Sequence, residues 1–208
     1  MNPIVFDSHC HLQDPAFETD REQVYERAHS QNIGLIVPGY SMKTSEAALA
    51  FASSHPHTYA LVGVHPHDAR DVSDDDYQIL QQWCTVPKVV GVGEIGLDYH
   101  YMNSPQHTQR EVFLRQLTLA RDLGLPVSVH SREAEEDTLE LIGMVPGVIG
   151  VLHCFSGSVE FAKELLHKGF YISFAGILAS AKIFRTCDRN VQNFVVWVPP
   201  GRLYVTLT

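Results

Sequence analysis

VPKVVGVGE, residues 86–94, is the stretch on which the fold turns. From Val89 to Gly93 it carries no polar residue, and it then ends on a carboxylate, Glu94. A strand with one wet face alternates apolar and polar residues. A strand without alternation is covered on both faces, as in a parallel sheet flanked by helices. GVIGVLH, residues 147–153, repeats the pattern and ends on His153. Outward from these two, the same unit recurs along the chain: a short β-branched run, a polar turn, then a helical pattern. Strands are predicted over residues 4–7, 34–38, 59–64, 89–93, 126–129, 148–152, 170–174 and 203–207, with a helix after each of the first seven. The clearest helix spans residues 104–123. Ser104 is read as its cap, Pro105 as its first residue and Gly124 as its stop, with Phe113, Leu117, Ala120 and Leu123 on one stripe.

Strands alternating with helices imply a parallel sheet. The count of eight, and the lack of a glycine-rich turn after the first strand, favour a TIM (β/α)8 barrel over a doubly wound dinucleotide-binding sheet. Such barrels usually run to ~250 residues. This chain has 208 and ends on its eighth strand. The expectation is therefore one TIM-barrel domain over residues 1–208, α/β in class, with the eighth helix missing.

Composition narrows the function. The chain carries a net charge of −9, which argues against a protein that coats nucleic acid by neutralising phosphates. It leaves room for an enzyme that meets phosphate through bound cations. No run of ~18 apolar residues is present, so no membrane span is expected. No Lys or Arg precedes an apolar stretch at the N-terminus, so no secretory signal is expected. The four cysteines form no CxxC and no dense framework, which suits a reduced, cytoplasmic setting.

The twelve histidines are the outlier. In a TIM barrel, chemistry sits at the C-terminal ends of the strands. His9 and His11 follow the first strand, His65 and His67 the third, Glu94 the fourth, His130 the fifth and His153 the sixth. His29, His55, His57, His100, His107 and His167 fall in helices or polar turns and are expected to face solvent. Side chains at i and i+2 share a face, so Asp7, His9 and His11 are expected to point together and Cys10 the other way. Cys10 and Cys154 are read as packed against helices, because a free cysteine behaves as a small hydrophobe. Imidazole and carboxylate are the usual ligands of Zn, Mn and similar ions. His9 and His11 would form one jaw, with Glu94, His130 and His153 opposite. Arg132 and the Ser156-Gly157 turn, which enters a helix, suit a phosphate. Asp98 and Tyr99 are expected to shape the pocket.

The motifs FDSHCHL, GVHPHDA, GEIGLDYH, PVSVHSR and LHCFSG, in this order, resemble the TatD family of metal-dependent hydrolases, the TatD-like deoxyribonucleases. The resemblance covers about residues 4–178. It implies a TIM barrel of the amidohydrolase type with two divalent metal ions (Zn, Mn, Mg, Ni or Co), held by His9, His11, a bridging Glu94, His130 and His153. It also implies a sixth ligand, an aspartate ending strand eight. Here GRLYVTLT places Thr206, Leu207 and Thr208 where Glu-Thr-Asp is expected, and residues 179–201 match loosely. A frameshift or premature stop would produce such an ending, and the missing aspartate predicts weaker metal occupancy or slower turnover.

The function implied is metal-dependent cleavage of phosphodiester bonds in DNA or oligonucleotides, of the 3'-5' exonuclease type, by a metal-activated water. Glu94 would bridge the metals. His65 and Arg132 would hold the phosphate, with His65 placed to protonate the leaving oxygen, and Asp7 would orient a ligating histidine. The chain is expected to act as a monomer. Two alternatives stand beside this: hydrolysis of a C–N or ester bond by the same metals, and an inactive truncated product.

Overall fold

The computed structural model describes Pro3, residues 5–175 and the backbone of Leu203–Val205. It places eight parallel strands in one sheet in chain order: β1 (Val5–Asp7), β2 (Ile33–Pro38), β3 (Thr58–Val62), β4 (Val89–Asp98), β5 (Val127–Arg132), β6 (Gly150–Leu152), β7 (Tyr171–Phe174) and β8 (Leu203–Val205). The crossovers carry α1 (Arg21–Ser30), α2 (Met42–Ser54), α3 (Asp74–Trp83), α4 (Gln106–Leu123), α5 (Glu135–Met144) and α6 (Val159–His167). This is the TIM-barrel order. The sheet curls round its axis: the ring of His9, just past β1, stacks on that of His153, just past β6, with centroids 3.7 Å apart. The expected seventh helix, and Thr206, Leu207 and Thr208, lie outside the described residues.

Local chemistry sets the helix ends. Ser41 caps α2 and Ser73 caps α3, each in a reciprocal box with the residue three further on. Gly124 stops α4 in the left-handed conformation at φ 66°, where a side chain would be strained. Phe113, Leu117 and Ala120 are fully buried on the inner stripe of α4. At the start of α4 the expectation fails. The cap position falls to Pro105, and buried Ser104 instead ties two loop groups together. Its hydroxyl donates to the His67 carbonyl (3.0 Å) and accepts from Arg70 N–H (3.1 Å).

Three strand ends also differ from the pattern. β4 runs on to Asp98 and β5 to Arg132, paired Gly96↔His130, Leu97↔Ser131 and Asp98↔Arg132. Gly96 (φ 140°) permits this approach, since a Cβ there would sit 1.9 Å from the His130 carbonyl oxygen. Glu94 and His130 therefore lie inside strands rather than at their ends. β3, by contrast, stops at Val62. Beyond it, side chains replace the ladder: Ser45 Oγ bonds both backbone groups of Gly63, and the Gln116 amide bonds both of Val64.

Candidate metal centre

Five imidazoles converge on one buried carboxylate. Glu94 Oε2 faces His9 Nε2 (3.4 Å) and His11 Nε2 (3.8 Å). Its Oε1 accepts from His153 Nε2 (2.8 Å) and faces His130 Nδ1 (3.3 Å) and His65 Nε2 (3.6 Å). β1, β3, β4, β5 and β6 each deliver a member, so the constellation exists only because the sheet curls round its axis.

Each imidazole is set by what lies behind it. Buried Asp98 accepts from His130 Nε2 and from His67 Nε2, both at 3.1 Å, through Oδ2. That fixes the proton of His130 on Nε2 and aims Nδ1 at Glu94. Gln109 in turn grips the backbone N–H (2.8 Å) and carbonyl (3.0 Å) of Asp98. His65 is oriented the opposite way. Its Nδ1 accepts the His67 backbone N–H (3.2 Å), so the neutral ring carries its proton on Nε2 and turns a donor toward Glu94. His65 thus lies within ligand distance of Glu94 and His130, yet it presents a proton rather than a lone pair.

The first strand is braced from outside. Asp7 Oδ1 accepts the His9 backbone N–H (3.1 Å), which holds the turn that carries this ligand. Arg21 donates to the carbonyls of Leu12, Gln13 and Asp14. Cys10 is buried with its thiol toward the Ile36 carbonyl, away from Glu94.

Burial and partners set the charge states. Burial alone would raise Glu94, but His153 and hydrogen bonds from His130, His153 and His9 hold it well below the usual carboxylate range. Burial, with His153 adding to it, pushes His9 down to about 4. His11 is lowered by burial against the pull of Glu94, Asp14 and the Pro38 carbonyl. Burial takes His65 to about 3. For His130 burial is outweighed by Asp98 and Glu94, and its pKa rises to about 9. Asp98 is held below its ordinary value, the burial penalty being overcome by His130, the Tyr101 N–H and His67.

The donor set suits divalent cations. His9 Nε2 and His11 Nε2 lie 3.1 Å apart, nitrogen to nitrogen beside a carboxylate. His9, Glu94 and His153 offer three ligand atoms within 4.8 Å of one another. Neutral imidazole and ionised carboxylate are the forms that bind metal, so a cation at His130 would have to displace the Nδ1 proton that Asp98 and Glu94 otherwise stabilise there.

A cavity of about 400 Å³ opens above this centre, with Glu94, His65 and His130 in its floor and Arg132, Tyr101 and Ser156 in its wall. Arg132 is the only Lys or Arg among the described lining residues. Cys154, expected against helices, also lines the cavity; it is half-buried in a left-handed turn (φ 48°) and burial raises its thiol pKa. Two expectations miss. Tyr99 turns away, its hydroxyl donating to Asp137 in a cluster with Arg110. The N-terminus of α6 does not face a ligand either, because the Glu135 carboxylate already accepts from Ser158 N–H (2.7 Å) and Oγ–H (2.6 Å). His67 and Tyr101, by contrast, belong to the site more fully than the sequence suggested. Of the histidines expected in solvent, His100, His107 and His167 are exposed, whereas His55 is half-buried against Phe51 and Glu22.

A family model described as TatD related DNase matches residues 6–203. Over 176 residues the chain is 38% identical to "Uncharacterized metal-dependent hydrolase YabD" of Bacillus subtilis, covering 83% of this chain and 69% of that protein. Over 210 residues it is 35% identical to "3'-5' ssDNA/RNA exonuclease TatD" of Enterobacter lignolyticus, covering 97% and 77%. Among solved structures, the TatD homologue YJJV of Escherichia coli superposes with a TM-score of 0.84 at 30% identity, over 96% of this chain and 76% of that one.

Proposed function

The chain belongs to the TatD-related DNase family of metal-dependent hydrolases, and on that footing we propose that it cleaves phosphodiester bonds of single-stranded nucleic acid from the 3' end. The observation that carries the reading is the convergence of His9, His11, His65, His130 and His153 on buried Glu94 beneath a cavity whose cation is Arg132. His9, His11, Glu94, His130 and His153 would hold two divalent ions, with Glu94 shared between them. Such ions, when bound, acidify water and draw charge from a phosphoryl oxygen.

The remaining steps fall to the chain's own groups. Arg132 and Ser156 bind the phosphate from the cavity wall, the guanidinium supplying a charge-assisted fork. His65 turns its Nε2–H into the cavity, where that neutral ring holds a phosphoryl oxygen and donates a hydrogen bond to the departing one, whose proton comes from water. Asp98 keeps His130 in the tautomer that offers Nδ1 inward. A net charge of −9 would oppose a polyanion held by the surface alone, which supports an attraction exerted from the centre itself.

The test is hydrolysis of a 3'-labelled single strand with Mn, Zn, Mg, Ni or Co, alongside amide and lactone substrates. Metal-dependent release of nucleotides, abolished by His130→Ala, supports the reading. Metal-replete protein that leaves the strand intact, or that prefers the amide or lactone, overturns it.

A further inference from the structure

On the rim of the cavity stands an aromatic residue that metal chemistry does not need. Tyr101 is 55% exposed, and its neighbour Met102 is 42% exposed. A single exposed apolar side chain is unremarkable on a protein surface. Tyr101, however, is held. Its backbone N–H donates to Asp98 Oδ1 (2.9 Å), and so does that of His100 (3.0 Å). The same carboxylate orients His67 and His130, so the rim and the centre hang from one group. The guanidinium of Arg132 lies over the Tyr101 ring, 4.8 Å from its centroid. The rings of His67 and His100 stand perpendicular to it, at 5.6 and 4.7 Å.

We propose that Tyr101, backed by Met102, is a shelf on which a nucleobase of the substrate stacks while the adjoining phosphate meets Arg132 and the Glu94 centre. The proposal rests on the phosphodiesterase reading and deepens it by naming what is recognised beside the phosphate: the π-face of a base, in a single strand. An aromatic ring already polarised by a guanidinium stacks on any base, because every base has a π-face. A base in a duplex is already stacked on its neighbours, so the shelf selects unpaired ends. The ring also stands next to the phosphate-binding cation, the spacing that a nucleotide presents. Met102 supplies a soft surface that adapts to purine or pyrimidine.

The experiment compares a single-stranded oligonucleotide with a strand of equal length carrying abasic sites, using metal-loaded wild type, Tyr101→Ala and Tyr101→Phe. Both kcat/KM and the Kd of the labelled strand from fluorescence anisotropy are read. Wild type is expected to prefer the base-bearing strand. Tyr101→Ala is expected to cut that preference about tenfold or more, chiefly through KM and Kd, and Tyr101→Phe to keep it. Equal losses on both strands, or a preference that Tyr101→Ala leaves intact, would overturn the shelf. Failure of wild type to cleave either strand would instead sink the phosphodiesterase reading, and the two failures are thereby told apart.

Discussion

The two walls of the Glu94 centre are built differently. The wall of His65, His67 and His130 is wired by the protein alone: Asp98 takes two imidazole protons, Gln109 holds Asp98, Gln116 holds the backbone beside His65, and His65 Nδ1 has its own donor. The wall of His9, His11 and His153 meets nitrogen to nitrogen and ring on ring. The first wall is preorganised; in the second, a cation between the facing nitrogens of His9 and His11 would supply the partner that neither ring gives the other.

Removing the residue common to both walls has the largest effect. Glu94→Gln is expected to lower strand hydrolysis by more than about 100-fold and to strip bound metal, measured by turnover and elemental analysis, since even partners behind a ligand cost 10–100-fold. Next, Asp98→Asn breaks only the preorganised wall. Metal affinity is expected to fall roughly 10–100-fold, read from the visible spectrum of the Co-loaded protein, and an unaltered spectrum and affinity would make Asp98 merely structural.

Chelation addresses the other wall. Cations at 100 times their Kd stabilise a fold by about 2.7 kcal/mol, which for a chain of this size is about 5–10 °C in Tm. His11→Ala is expected to remove most of that metal-dependent shift, seen by differential scanning. A shift of the same size in the variant would refute the assignment of the metal requirement to this wall.

The smallest effect is in the pH dependence of the chelated protein, and its sign differs between walls. His9 is lowered from 6.5 to about 4, so the unfolded chain binds more protons between those values and stability is lost as pH falls through them. His130 is raised from 6.5 to about 9, so its contribution is present below 6.5 and fades as pH rises toward 9. Denaturant midpoints from pH 4 to 9 should show His9→Gln flattening the acid arm and His130→Gln the alkaline arm. Either variant acting on the wrong arm would contradict these assignments.

The convergence on Glu94 is legible in the sequence because unalternating strands and their polar endings put His9, His11, Glu94, His130 and His153 on one rim. The preorganised wall is less legible. His67 and Asp98 meet only because β4 continues past Glu94, and that continuation depends on Gly96 lying against the His130 carbonyl, a close approach between strands that no local pattern announces. Tyr99 was the natural choice for the pocket by extrapolation along the strand. The Asp98 carboxylate instead gathers the N–H groups of His100 and Tyr101 and turns the chain, so that Tyr101 reaches the rim. Gln109 and Gln116 sit at core positions of α4, seven residues apart, where an amide signals a buried backbone partner but not which one.

Those two glutamines make α4 a ruler. Seven residues of helix span about 10.5 Å, and its two ends are hooked to different places, one to Val64 just past β3 and beside His65, the other to Asp98 at the end of β4. The gap between His65 and the carboxylate that orients His130 is therefore gauged by a rigid rod rather than by loops. Inserting one residue between the hooks would swing the far one through about 100°, as helix geometry requires, and would detune both positions at once without substituting any cavity residue.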